Sequence, residues 1–111
     1  MPIEQRYVQA VIRLIERGWC RHVSAKDAKG REVCETAPEA TRFCLLGAMY
    51  RAQRDVDQAR RRRDTRLVVE RTRTRLHGLT GSRALSIWND SQRSKRPVLR
   101  ALKALLSETT R

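Results

Sequence analysis

The chain has 111 residues, with 25 Lys+Arg against 12 Asp+Glu and a formal net charge of +13. No apolar run approaches the ~20 residues that cross a bilayer, and the opening MPIEQRYVQA puts Glu4 and Arg6 where a secretory leader needs apolar residues. These features exclude a membrane-spanning or secreted chain and predict one soluble, cytoplasmic domain over residues 1–111, whose three cysteines are free thiols in a reducing compartment.

In chain order, Tyr7, Val8, Val11, Ile12, Leu14 and Ile15 recur at helical spacing between Glu4 and Arg17, so an amphipathic helix is predicted there. Gly18 follows as a helix stop with access to the left-handed region. A short β-hairpin comes next. Cys20–Ala25 is its first arm, Asp27-Ala28-Lys29-Gly30 its turn and Arg31–Cys34 its return. A second helix is predicted to start near Pro38, carrying Phe43, Cys44, Leu45, Leu46, Ala48, Met49 and Ala52. Gly47 interrupts this apolar series, which points to a ring or a neighbouring backbone passing close by.

A third helix is expected from Thr65 to Leu79, with Val68, Val69, Thr72, Leu76 and Leu79 on one side and Gly78 as its terminator. Ser82 caps a short helix through Trp88, which Asn89-Asp90-Ser91 breaks. Ser94 caps a last helix from Lys95 to about Thr109, with Pro97 in its first turn and Val98, Leu99, Leu102, Leu105 and Leu106 as its stripe. The fold class is therefore mainly α (α+β), with four to five helices around one core and a short hairpin after the first helix.

Ten arginines fall between Arg51 and Arg75: Arg51, Arg54, Arg60, Arg61, Arg62, Arg63, Arg66, Arg71, Arg73 and Arg75. Residues 51–66 read as a solvated basic helix or an arm. Guanidinium forks suit phosphate oxygens, so backbone contact with DNA or RNA is the simplest function for this set. With Asp55, Asp57, Asp64 and Glu70 interleaved, the set also reads as a solvated face laced by ion pairs. No aromatic residue is interleaved with the arginines, which argues against a base-stacking platform. The same charge suits an acidic protein surface, with Met49, Tyr50 or the far side of the last helix as an apolar anchor.

Three further clusters carry a resemblance. They are Gly18-Trp19-Cys20 with Asp27-x-x-Gly30-x-x-Val33, then Phe43-Cys44-Leu45-Leu46-Gly47-Ala48, then Ile87-Trp88-Asn89-Asp90. Together they resemble an uncharacterised family of small bacterial and phage-encoded proteins. Its members combine a helix ending in tryptophan, an aromatic-Cys-x-x-Gly-Ala helix and a Trp-Asn-Asp turn before the final helix. Phe43 stands where that pattern usually has tryptophan. The resemblance spans most of the chain outside residues 51–66 and brings no established activity. It implies a compact domain with Trp19, Asp27, Gly30, Cys44, Gly47, Trp88, Asn89 and Asp90 as a shared constellation. The alternative function, read from charge, is a protein-interaction module, a phage-type modulator of a host protein with an acidic surface.

The chemistry of that constellation is read mainly as scaffold. Two indoles anchor a small core, Cys44 is a buried thiol, and Asn89 and Asp90 tie turn backbone. A cysteine enzyme is the remote alternative, with Cys44 as nucleophile, His22 as base and Asn89 or Asp90 orienting the ring. A zinc site would draw on Cys20, His22, Cys34 and Cys44, but Cys20-x-His22 is tighter than structural zinc spacings. No metal and no cofactor is expected, and the function predicted is that of a small basic binding protein rather than an enzyme.

Overall fold

The computed structural model describes residues 2–59 and 65–109. Among these are five helices: α1 (Ile3–Arg17), α2 (Leu45–Ala59), α3 (Arg66–Thr80), α4 (Leu85–Ser91) and α5 (Arg96–Thr109). Two short strands, β1 (Ala25–Lys26) and β2 (Arg42–Phe43), pair antiparallel between α1 and α2. The chain is thus mainly α with a small antiparallel pair after the first helix, as its periodicity implies.

The helices hold because their stripes are buried. Tyr7, Val8, Val11, Ile12 and Ile15 of α1 are all buried, and α1 packs on α2 and α5. Val98, Leu102 and Leu105 of α5 face back into the same core, and α3 adds Val68, Val69 and Leu76. Each such side chain contributes about 1.5–3 kcal/mol on burial, which outweighs the weak propensity of isolated helices this short. The Tyr7 hydroxyl donates to the Met49 carbonyl at 3.3 Å, so the one phenol inside the core is satisfied. Among the described residues no helix is long and apolar enough to cross a membrane.

The hairpin differs in its partner. The Asp27–Gly30 turn forms, with Gly30 at φ 83° and its N–H donating to the Asp27 carbonyl at 3.0 Å. The return arm touches β1 only at the Lys26–Glu32 bridge and through Val33 N–H to Ala25 O at 3.1 Å. The strand that pairs is Arg42–Phe43, in the register Ala25–Phe43 and Lys26–Arg42. Phe43 is buried, whereas Arg31 and Glu32 are exposed, so pairing with β2 brings a ring into the core and pairing with the return arm would bring charges.

This changes where α2 starts. Pro38 lies in a run of turns, and the helix begins at Leu45. Phe43 uses its N–H on Gly18 O and its carbonyl on Cys20 N–H, and Cys44 N–H donates to Ser24 O. These residues are therefore committed to β pairing before the helix can begin. Gly18 is extended rather than left-handed, and a Cβ there would fall on the Thr41 carbonyl oxygen. α3 runs through Gly78 and stops at Gly81, whose φ of 71° supplies the left-handed C-terminal residue. Asn89-Asp90-Ser91 does not break α4 but forms its last turn.

Candidate functional site

Asn89 is the centre of the site. It is fully buried, and all four of its hydrogen-bonding positions are used. Its Oδ1 accepts from the Trp19 indole Nε1 at 2.8 Å and from Leu45 N–H at 3.1 Å. Its Nδ2 donates to Cys20 O and to Asp90 Oδ1, both at 3.2 Å. One side chain from α4 therefore caps α2, fixes an indole and pins the chain after α1. Gly47 completes the arrangement, because a Cβ there would fall on the Ser24 carbonyl oxygen. The close neighbour at Gly47 is loop backbone, not an indole.

Asp90 holds the neighbouring loop. Its Oδ1 also accepts His22 N–H at 2.8 Å, and Oδ2 lies 3.7 Å from His22 Nδ1. His22 has φ 76°, the one non-glycine residue at positive φ among those described. Such a conformation persists only where neighbours over-determine it. His22, Ser24, Cys44, Leu46, Tyr50, Ser86 and Asp90 line a recess of about 210 Å³. A second recess of about 250 Å³ continues across Leu46, Tyr50 and Ser86 to Arg73, His77 and Arg83. Leu46, Tyr50 and Ser86 line both recesses, which therefore adjoin as the two lobes of a shallow cleft.

The cleft brings Cys44, His22 and Asp90 together, the residues of the thiol-enzyme alternative. The environment of Cys44 opposes that chemistry. Burial pushes its thiol above the ordinary range, against the Gly47 N–H that donates to Sγ at 3.3 Å. Burial also pushes Cys20 up to about 11. Both are held as thiols at neutral pH, and the thiolate is the nucleophile. Cys34 is exposed and sits beside Thr36 and Glu35. Among the described residues no group of three or more His, Cys, Asp or Glu side chains is placed to hold a metal ion.

The other members of the motif set are structural in their contacts. Asp27 Oδ1 accepts from Lys29 and Arg31 N–H, and Oδ2 pairs with Arg31 Nε, each at 2.9 Å. The Arg31 N–H, foremost, holds the Asp27 carboxyl below the usual carboxylate range. Trp88 is half-buried against the core, and Arg21 stacks over Trp19 at 5.9 Å.

The arginine cluster does not form one free stripe. Arg51 donates to Glu35 O and Ala37 O, pairs with Asp55 and lies 5.7 Å from the Phe43 ring centroid. Arg54 donates to Thr36 O and Asp55. Arg71 and Arg75 both pair with Glu4 on α1, at 3.1 and 3.3 Å. Arg66 opens α3, and Arg73 is half-buried in the cleft. Arg60, Arg61, Arg62 and Arg63 lie outside the described residues.

Two features escaped the reading of the sequence. One is the lobe formed by Arg73, His77 and Arg83, which only the packing of α3 and α4 assembles. The other is a second set of cations, Arg6, Arg13 and Arg17 on α1 with Arg96, Arg100 and Lys103 on α5, all exposed. Their seven-, four- and three-residue spacings return to one side of each helix, a signal present in the sequence but overshadowed by the denser run.

Fold and site together define a small, mainly helical, cation-rich domain built around a buried asparagine and opening into a two-lobed cleft. The chain belongs to DUF6197, a family of unknown function, whose model matches residues 4–107. No curated protein and no solved structure matches it.

Proposed function

We propose that the protein is a non-enzymatic binding protein that holds nucleic acid through its phosphate backbone. The observation that carries this reading is the α1–α5 face. Arg6, Arg13 and Arg17 lie along one helix and Arg96 and Arg100 along its neighbour, and none makes an ion pair among the described residues. Lys103 reaches Glu16 at 3.6 Å, and Glu16 is the acid between the two rows. The α1 row extends about 16 Å along a rigid helix, enough to meet several phosphates of a duplex that carries one charge per ~1.7 Å of axis. The arginines tied to Glu4, Asp55 and loop carbonyls are less available for this work.

The test is the salt dependence of duplex binding. Replacing Arg6, Arg13 and Arg17 with glutamine is expected to reduce the slope of log K against log salt by about 0.9 for each phosphate contact removed. Replacing Arg60–Arg63 with serine measures the share of the denser run in the same assay. A slope unchanged in both variants overturns the reading. Docking on an acidic protein is the second reading, supported by Ile87, which is 69 % exposed on α4, and by exposed Tyr50. Met49 is buried and does not serve as the anchor. Co-purification of protein without nuclease-sensitive material favours that reading.

A further inference from the structure

We propose that the two-lobed cleft between α2, α3 and α4 binds a small phosphate monoester of nucleoside monophosphate size. The phosphate would occupy the lobe of Arg73, His77 and Arg83, and hydroxyl or amino donors at the other end would reach Asp90.

The first lobe has the chemistry of an anion site. Arg73, His77 and Arg83 line it, and no carboxylate does. Arg73 Nε is buried and has no hydrogen-bond partner among the described residues. A buried unsatisfied donor is uncommon and costly; Nε has no surface open to the lobe, so a shift of the Arg73 side chain is needed before an anion can satisfy it, and the lining by Arg73, His77 and Arg83 carries the assignment. Neither Arg73 nor Arg83 makes an ion pair among the described residues, unlike Arg71 and Arg75, two residues either side of Arg73. A guanidinium pair with an imidazole offers the forked donors that a terminal phosphate accepts.

The second lobe has the opposite polarity. Asp90 Oδ1 is committed to His22 N–H and Asn89 Nδ2, but Oδ2 lies 3.7 Å from His22 Nδ1, too long for a hydrogen bond. Oδ2 therefore retains capacity for a donor from a ligand. Ser86 adds a hydroxyl shared by both lobes, the Ser24 hydroxyl already donates to Glu35 at 3.0 Å, and Leu46 and Tyr50 form the apolar walls common to both. A simple inorganic anion would use only the first lobe. Each lobe, at about 250 and 210 Å³, is below the ~300 Å³ of small-molecule sites, so a ligand of nucleoside monophosphate size must span both. A molecule anionic at one end and carrying an amino or hydroxyl donor at the other, with a flat ring to lie against Leu46 and Tyr50, matches these surfaces, and adenosine monophosphate is of this kind. Backbone binding on the α1–α5 face uses none of these residues, so either proposal can fail alone.

The experiment is calorimetric titration of the full chain with adenosine monophosphate, adenosine and inorganic phosphate at fixed ionic strength. Saturable one-site binding of the monophosphate is expected, with weaker competition by inorganic phosphate and none by adenosine. Arg83→Gln, on an exposed residue, and Arg73→Gln are each expected to weaken binding about tenfold or more. Lys29→Gln and Arg93→Gln, which remove the same charge at exposed positions in neither proposed site, should leave it unchanged. Asp90→Asn should weaken the monophosphate without changing inorganic phosphate. Circular dichroism confirms that each variant is folded, and Arg83→Gln carries the test if Arg73→Gln is not. Two results overturn the proposal: no saturable binding, or equal weakening by all four charge-removing substitutions, which would mark diffuse attraction to a basic surface.

Discussion

At the residue scale, Asn89 shows how one amide can organise a small domain. Its neighbours Trp19, Leu45 and Cys20 are separated from it by 70, 44 and 69 positions. The motif Trp88-Asn89-Asp90 was legible as a constellation, but its role was read as a local turn because its partners are distant in sequence. Asn89→Ala would leave the Leu45 N–H, the Trp19 Nε1–H and the Cys20 carbonyl without their partner. Each buried group so stranded costs about 1–3 kcal/mol, so a loss of about 3 kcal/mol or more is expected from urea unfolding midpoints. A loss below about 1 kcal/mol would mean that water or a shifted backbone replaces the amide.

At the element scale, five helices and an antiparallel pair after the first were readable, but the second strand of that pair and the start of α2 were not. α1 and α5 advertise themselves because their apolar residues recur at one period, and the centre of each stripe is buried. β2 has two residues, and nothing local marks Arg42–Phe43 as the partner of Ala25–Lys26. That pairing in turn displaced the start of α2 to Leu45, where a remote side chain supplies the cap. Two glycines separate the effects of helix propensity and packing. Gly78 lies in α3 with open space around its missing Cβ, so Gly78→Ala should stabilise by about 0.5–1 kcal/mol. Gly47 lies in α2 against the Ser24 carbonyl, so Gly47→Ala should destabilise by about 3 kcal/mol. Thermal midpoints that move the same way in both variants would contradict this account.

At the scale of the whole molecule, two sets of groups bound the pH range of stability. Asp27 is held below the usual carboxylate range, chiefly by the Arg31 N–H. Its stabilisation is present above the unfolded value of about 3.9 and is lost as pH falls through the folded one. Cys20 and Cys44 are shifted upward by burial, Cys20 to about 11. Above about pH 8.5 the unfolded thiols ionise while the folded ones do not, so stability falls as pH rises. Urea midpoints at pH 3, 7 and 9.5 should therefore peak near neutrality. Asp27→Asn should flatten the acid limb and Cys20→Ala the alkaline limb; an unchanged profile in both would assign the limbs to other groups. The net charge itself was legible from composition, but its distribution was not. Ion pairs with Glu4 and Asp55 involve four of the arginines in the densest run, whereas α1 and α5, far apart in the chain, carry Arg6, Arg13, Arg17, Arg96 and Arg100, which make no ion pair among the described residues.

The packing of α1 against α5 also sets a timetable for synthesis. The first helical segment leaves the ribosome with one of its two main partners still untranslated, and Gln5 finally bonds to Thr109 at 3.3 Å across the domain. At ~5–20 residues per second, its apolar stripe remains uncovered for several seconds. Nascent chains stalled before Arg96 should stay sensitive to protease throughout, and resistance should arrive in one step once α5 has cleared the exit tunnel.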